Sequence, residues 1–117
     1  AHAKDRVQFG KPIAEFQAVQ WMIADMAKDA HAARLMVRHA ARLLDAGRRT
    51  TLEASFAKCF ASDAAVARTT DAVQIHGGSG YIRGVTVERL YRDAKITQIY
   101  EGTNQIQRMI MARHLLA

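Results

Sequence analysis

Cysteine occurs once in 117 residues, as Cys59 in the apolar run SFAKCFA, which excludes a disulfide framework and fits a reducing compartment. The five histidines, His2, His31, His39, His76 and His114, share no zinc spacing with one another or with that thiol, which excludes a structural zinc site. No stretch approaches the roughly 18 consecutive apolar residues of a membrane span, and the first ten residues, AHAKDRVQFG, lack the apolar run of a signal peptide. The chain therefore reads as soluble and cytosolic. Its abrupt start reads as that of a piece of a longer protein. The only proline, Pro12, stands ahead of a long helical pattern, so nothing interrupts the helices that follow.

Basic residues are in excess, 17 against 11 acidic, for a net charge of +6, so an anionic partner has to be considered. Arg34, Arg38 and Arg42 recur every four residues, a self-repelling ridge that predicts an acidic neighbour, a solvated face or a phosphate surface. No aromatic residue interleaves with these arginines and no nucleic-acid motif is present, which argues against nucleic acid.

Helical periodicity dominates. From Ile13 through Phe16, Ile23, Met26, Val37 and Leu44 the apolar positions fall three and four apart, with Pro12 as the first helical residue and Gly47 as the stop. This predicts a first helix of roughly 34 residues, about 50 Å long. Thr50 and Glu53 have the spacing of a capping box for a second long helix, which continues through Leu52, Phe56, Phe60, Val66 and Val73 to Gly77 and Gly78. HGGSGYIRG reads as a glycine-rich loop and TVERLYRDAKIT as a short third helix. A fourth begins at Thr103 or Asn104 and turns Ile106, Met109, Ile110, Leu115 and Leu116 inward. No strand pattern is evident. The expected fold is all-α: an antiparallel four-helix bundle of two long and two shorter helices.

Two segments invite chemistry. GGSGYIRG fails the dinucleotide fingerprint, because Arg83 replaces the third glycine and the run follows a helix. Gly77 and Gly78 then either bring backbone close to a ligand or simply end the helix. In QIYEGTNQIQ, Glu101 precedes Gly102 outside the helix cap. It either complements the helix dipole or, if desolvated beside Ile99 and Tyr100, serves as a general base for a weakly acidic C–H.

The stretches DRVQFGKPI, TDAVQIHGGSGYIRG and VERLYRDAKITQIYEGTNQIQRMIMARHLL, in that order, resemble the C-terminal helical domain of the acyl-CoA dehydrogenases, from Asp5 to Leu116. The resemblance implies that residues 1–117 are that domain, with an N-terminal helical and a middle β domain lying elsewhere, and that the piece alone is inactive. It implies FAD as cofactor and an acyl-CoA substrate, with Glu101 as the base that removes the α-proton and flavin N5 as hydride acceptor. Tyr100 and Gly102 would shape the acyl slot beside it. Arg6, Gln8, Phe9, Gln17, Gln74, Gly77 and Gly78 would meet the adenosine and pyrophosphate part of FAD, and Thr103 and Gln105 would also touch the cofactor. A homodimer or homotetramer, an electron-transfer flavoprotein or similar acceptor, and a cytoplasmic location (mitochondrial matrix in a eukaryote) are implied as well. The segment RGVTVERL departs from the family, which often has an acidic residue, an aromatic and a proline there. Glutamate in YEGT argues against the isovaleryl and long-chain types. The alternative is a non-catalytic assembly domain of the same descent.

Overall fold

The computed structural model describes residues 1–117 as an elongated body of 58 × 25 × 24 Å. Its elements are α1 (His2–Asp5), the strands β1 (Val7–Gln8) and β2 (Lys11–Pro12), a 3-10 turn (Ile13–Glu15), α2 (Gln17–Asp45), α3 (Thr51–His76), a second 3-10 turn (Gly77–Tyr81), α4 (Thr86–Ile96) and α5 (Asn104–Leu115). The all-α reading holds, and so do the positions of its four main helices.

Helices α2 and α3 are antiparallel. Arg68 reaches Asp25 and Asp29 at 3.4 Å, while Met36 shares a cavity wall with Phe56, so positions rising along one helix meet positions falling along the other. Gly47, at φ +69°, ends α2 in a Schellman arrangement: its N–H reaches Leu44 O at 2.9 Å, and that of Arg48 reaches Leu43 O at 3.0 Å. Helix α3 is the hub, against which α2, α4 and α5 all pack.

Five expectations are corrected. Helix α2 starts at Gln17, not at Pro12, because Pro12 ends a two-residue strand paired with Val7. The two residues between the strands, Phe9 (φ +52°) and Gly10 (φ +80°), form the tight turn whose positive dihedrals match strand twist. The sequence shows no alternation there because the strands are too short to have any. Thr50 precedes α3 without a side-chain cap bond, since its φ of −124° and ψ of 18° lie outside the extended conformation that aims a capping oxygen at the helix. The glycine segment is a 3-10 turn continuing α3, not an irregular loop.

The fifth correction concerns what is buried. Helix α2 has no buried residue, and Trp21, Leu35, Val37 and Leu44 are each half or more exposed. One partner helix covers a single strip, and these side chains lie in two groups on opposite sides of α2, Trp21 with Leu35 and Val37 with Leu44. In α5 the residues turned inward are Asn104 and Gln107, while Ile106, Met109, Leu115 and Leu116 face outward.

Candidate functional site

Two concave places hold most of the residues singled out above. The first lies where α1 and the hairpin meet the end of α3. Its cleft of about 320 Å³ brings Arg6 and Gln8 together with Gln74, Gly77 and Gly78, more than 60 residues further along the chain, with His2, His76 and Ser79 completing the polar wall. Gly77 has φ +60° and ψ −148°, a region essentially reserved for glycine, so a side chain there is excluded by the backbone itself. Added Cβ atoms at Gly77 and Gly78 would meet nothing within 4 Å, so this edge of the cleft is open to a ligand's approach.

The chemistry of the cleft fits a phosphate-bearing group. Arg6 has no carboxylate within ion-pair distance, and His2 Nε2 is buried without a hydrogen-bond partner. The His2 ring stacks on His76 at 4.1 Å, and His76 Nδ1 donates to Ala72 O at 2.8 Å. Burial, then the neighbouring His76 and Arg6, hold His2 below the usual imidazole range despite Asp5. His2 was missed in the sequence because a lone histidine ahead of KDR carries no pattern. Phe9 stands at the hairpin tip, 92% exposed, with its ring edge-on to Phe16 at 6.0 Å. A bulky residue in a left-handed conformation, projecting into solvent, is a strained choice without a packing reason in this chain. Gln17 is exposed in the first turn of α2 and does not line the cleft.

The second place is the turn between α4 and α5. Glu101 (φ +52°) and Gly102 (φ +83°) are consecutive left-handed residues, and the turn closes through Asn104 N–H to Gln98 O at 3.0 Å. Tyr100 and Glu101 face α3 across a cavity of about 380 Å³, whose other walls are Lys58, Ala61, Ser62, Ala65 and Thr97. Small side chains on α3 leave that space open. Glu101 is exposed, so this chain covers it on one side only. Thr103 caps α5, its Oγ1 accepting from Ile106 N–H at 3.3 Å, and Gln105 is exposed in the first turn.

Behind the turn lies a polar knot that hydrophobic periodicity did not reveal. Asn104, 3% exposed, donates to Asp63 Oδ1 at 2.7 Å and accepts from Lys58 Nζ at 2.7 Å. Asp63 also accepts from Gln98 at 2.7 Å and Arg108 at 2.6 Å. Burial pushes its carboxyl upward, but the bonds from Arg108, Asn104 and Gln98 outweigh that and hold it below the usual range. The one signal in the sequence was polar Lys58, Ser62 and Asp63 inside the apolar stripe of α3. The two places are 12 residues apart along α3, counting Ser62 to Gln74, which is about 18 Å. A single chain thus brings Arg6 together with Gly77 but keeps both away from Thr103 and Gln105.

An all-α domain with a phosphate-fitting cleft at one end and a lone carboxylate over an open cavity nearer the other has the character of a helical domain from an enzyme of nucleotide-linked chemistry. The chain belongs to the acyl-CoA dehydrogenase family, whose C-terminal domain model matches residues 1–116. It is 59% identical over 115 residues to an acyl-CoA dehydrogenase of Bacillus subtilis strain 168, covering 98% of this chain and 30% of that protein. Among solved structures it superposes on butyryl-CoA dehydrogenase from Megasphaera elsdenii with a TM-score of 0.96 and 49% identity, over 99% of this chain and 30% of the other. It also matches a structure described as an electron transferring flavoprotein of Acidaminococcus fermentans, with a TM-score of 0.95 and 55% identity, over 98% of this chain and 30% of that one. The chain thus spans about 30% of the length of these relatives.

Proposed function

We propose that this chain is the C-terminal helical domain of an enzyme that removes the α and β hydrogens of an acyl-CoA thioester to give the trans-2-enoyl-CoA. FAD, when bound, supplies the oxidant that takes the β-hydrogen as hydride at N5. Glu101 takes the α-proton, so that the C–H electron pair becomes the new double bond as the hydride leaves. The observation that carries this reading is the placement of Glu101, a single carboxylate in a left-handed turn on the wall of a cavity otherwise lined by small residues, Tyr100 and Lys58. A carboxylate abstracts so weak an acid only when water is kept away and the enolate charge is met by hydrogen-bond donors. The exposed side of Glu101 must then be covered by other parts of the protein or by substrate, and this chain alone is inactive.

Arg6, Gln8, Gln74, Gly77 and Gly78 hold the adenosine and pyrophosphate end of FAD, with Phe9 and Gln17 beside them. Thr103 and Gln105, at the start of α5, favour the cofactor's anionic groups through the helix N-terminus. A homodimer or homotetramer, in which subunits share cofactor contacts, completes this reading. An electron-transfer flavoprotein or similar acceptor would be the partner that takes up the electrons; the structural match described as such a flavoprotein supports this.

A second reading, an assembly domain without catalysis, is favoured by the exposed apolar side chains of α2, Trp21 and Leu35 on one side of the helix and Val37 and Leu44 on the other. The two separate in the complete protein carrying Glu101→Gln. With Glu101 as base, FAD stays bound while exchange of the substrate α-proton with solvent is abolished. Exchange at the unmodified rate removes Glu101 from this role, and a complete protein without flavin supports the assembly reading.

A further inference from the structure

We infer that Lys58 and Gln107 are positioning residues that clamp the backbone of the Glu101–Gly102 turn and thereby fix where the carboxylate sits; this rests on the reading of Glu101 as the base. Three observations converge. The turn is strained, since Glu101 is a non-glycine residue at φ +52°, a conformation that persists only where surrounding contacts over-determine it. Those contacts are made to its two carbonyls. Lys58 Nζ, from α3, donates to Gly102 O at 2.8 Å, and Gln107 Nε2, from α5, donates to Glu101 O at 3.2 Å and Gly102 O at 3.4 Å. The peptide plane before Gly102 is thereby tied to α5, and the one after it to both α3 and α5.

The clamp is itself held. Gln107 is 9% exposed, and Asn104 accepts the second Lys58 bond at 2.7 Å. Gln107 packs closely on the turn, because a Cβ added at Gly102 would lie 2.9 Å from Gln107 Nε2. Lys58 lines the same cavity as Glu101 but makes no ion pair with it. Its ammonium is engaged by Gly102 O and Asn104 Oδ1, so it acts on the base through the backbone. A base held by its main chain keeps its carboxylate in place while the side chain itself remains free to accept a proton. Displacement of a reacting group by about 1 Å costs on the order of 100-fold in rate.

The test uses the complete enzyme with Lys58→Met, Gln107→Leu, Lys58→Arg and Glu101→Gln, each assayed per bound flavin. Lys58→Met and Gln107→Leu are expected to lower α-proton exchange with butyryl-CoA by roughly 10- to 100-fold while flavin content stays at one per subunit. Amides of residues 99–104 should exchange with deuterated solvent faster in both variants. Lys58→Arg, which keeps a donor, should recover part of the rate, and the pH midpoint of Gln107→Leu should not move. Unchanged exchange per flavin in both variants, with Glu101→Gln inactive, overturns the clamp and leaves the base intact. A fall in flavin content that accounts for the whole loss in rate also overturns it, as a merely structural role. If Glu101→Gln exchanges normally, the assignment of the base fails, and the clamp's catalytic role fails with it.

Discussion

Replacing Asn104 by alanine tests whether the inside of this domain is held by polar contacts. Asn104 accepts from Lys58 Nζ at 2.7 Å and Ser62 Oγ at 3.1 Å, and donates to Asp63 Oδ1 at 2.7 Å, Ser62 Oγ at 2.8 Å and Cys59 O at 3.4 Å. After truncation none of the main partners is orphaned. Lys58 keeps Gly102 O, Asp63 keeps Gln98 and Arg108, and Ser62 keeps Lys58 O. The loss is therefore that of two charge-assisted bonds and of the neutral contacts to Ser62 Oγ and Cys59 O, without a full desolvation penalty. With charge-assisted bonds at about 1.5–3 kcal/mol each and neutral ones near 1, the gross loss is about 5 kcal/mol or more, and water entering the space to bond Lys58 and Asp63 brings the expected destabilisation down to about 3 kcal/mol. Urea unfolding of the chain followed by helical circular dichroism should show a midpoint lowered by roughly 1.5 M at a slope of about 2 kcal/mol per M. Gln105→Ala, one residue away and exposed, should stay within about 0.5 kcal/mol of the unmodified chain. A loss below about 1 kcal/mol for Asn104→Ala would show that the knot contributes geometry and little stability.

Two further outcomes follow from the same packing. Asp63 titrates below the usual carboxylate range in the folded chain, so its contribution is present above the unfolded pKa near 4 and is lost as pH falls through the lower folded value; Asp63→Asn should flatten the acid limb of a stability–pH curve below pH ~4, and an unchanged limb refutes the assignment. At Gly80 an added Cβ would stand 2.6 Å from His76 Cβ and 3.0 Å from Val73 O, whereas at Gly78 it would meet nothing within 4 Å. Gly80→Ala should therefore cost about 1–3 kcal/mol in urea unfolding and Gly78→Ala little, and equal losses would contradict the packing described.

The ends of α3 and α5 were legible because they depend on local chemistry: Gly77 takes a dihedral pair that other residues avoid, and Thr103 caps with its own hydroxyl. The convergence of Arg6 and Gln8 with Gln74, Gly77 and Gly78 was expected from family likeness alone, since no spacing rule joins positions so far apart in the chain. Inward placement of Ile106 and Met109 was expected and is not found. Periodicity identifies an apolar stripe but not which neighbour covers it, and α5 meets α3 through Asn104 and Gln107 instead.

By itself, then, the sequence determined what is local: helix content, the stops at Gly47 and Gly77, a cap at Thr103 or Asn104, and the residue types gathered around Glu101. The tertiary structure decided what depends on distant partners. It made α3 the hub, left α2 covered along one strip only, and bound Lys58 and Asp63 to Asn104, with Gln98 on Asp63, in a knot behind the turn. Capping and turn preferences act over a few residues and are written in order along the chain, whereas burial and hydrogen-bond pairing are settled only when remote segments meet.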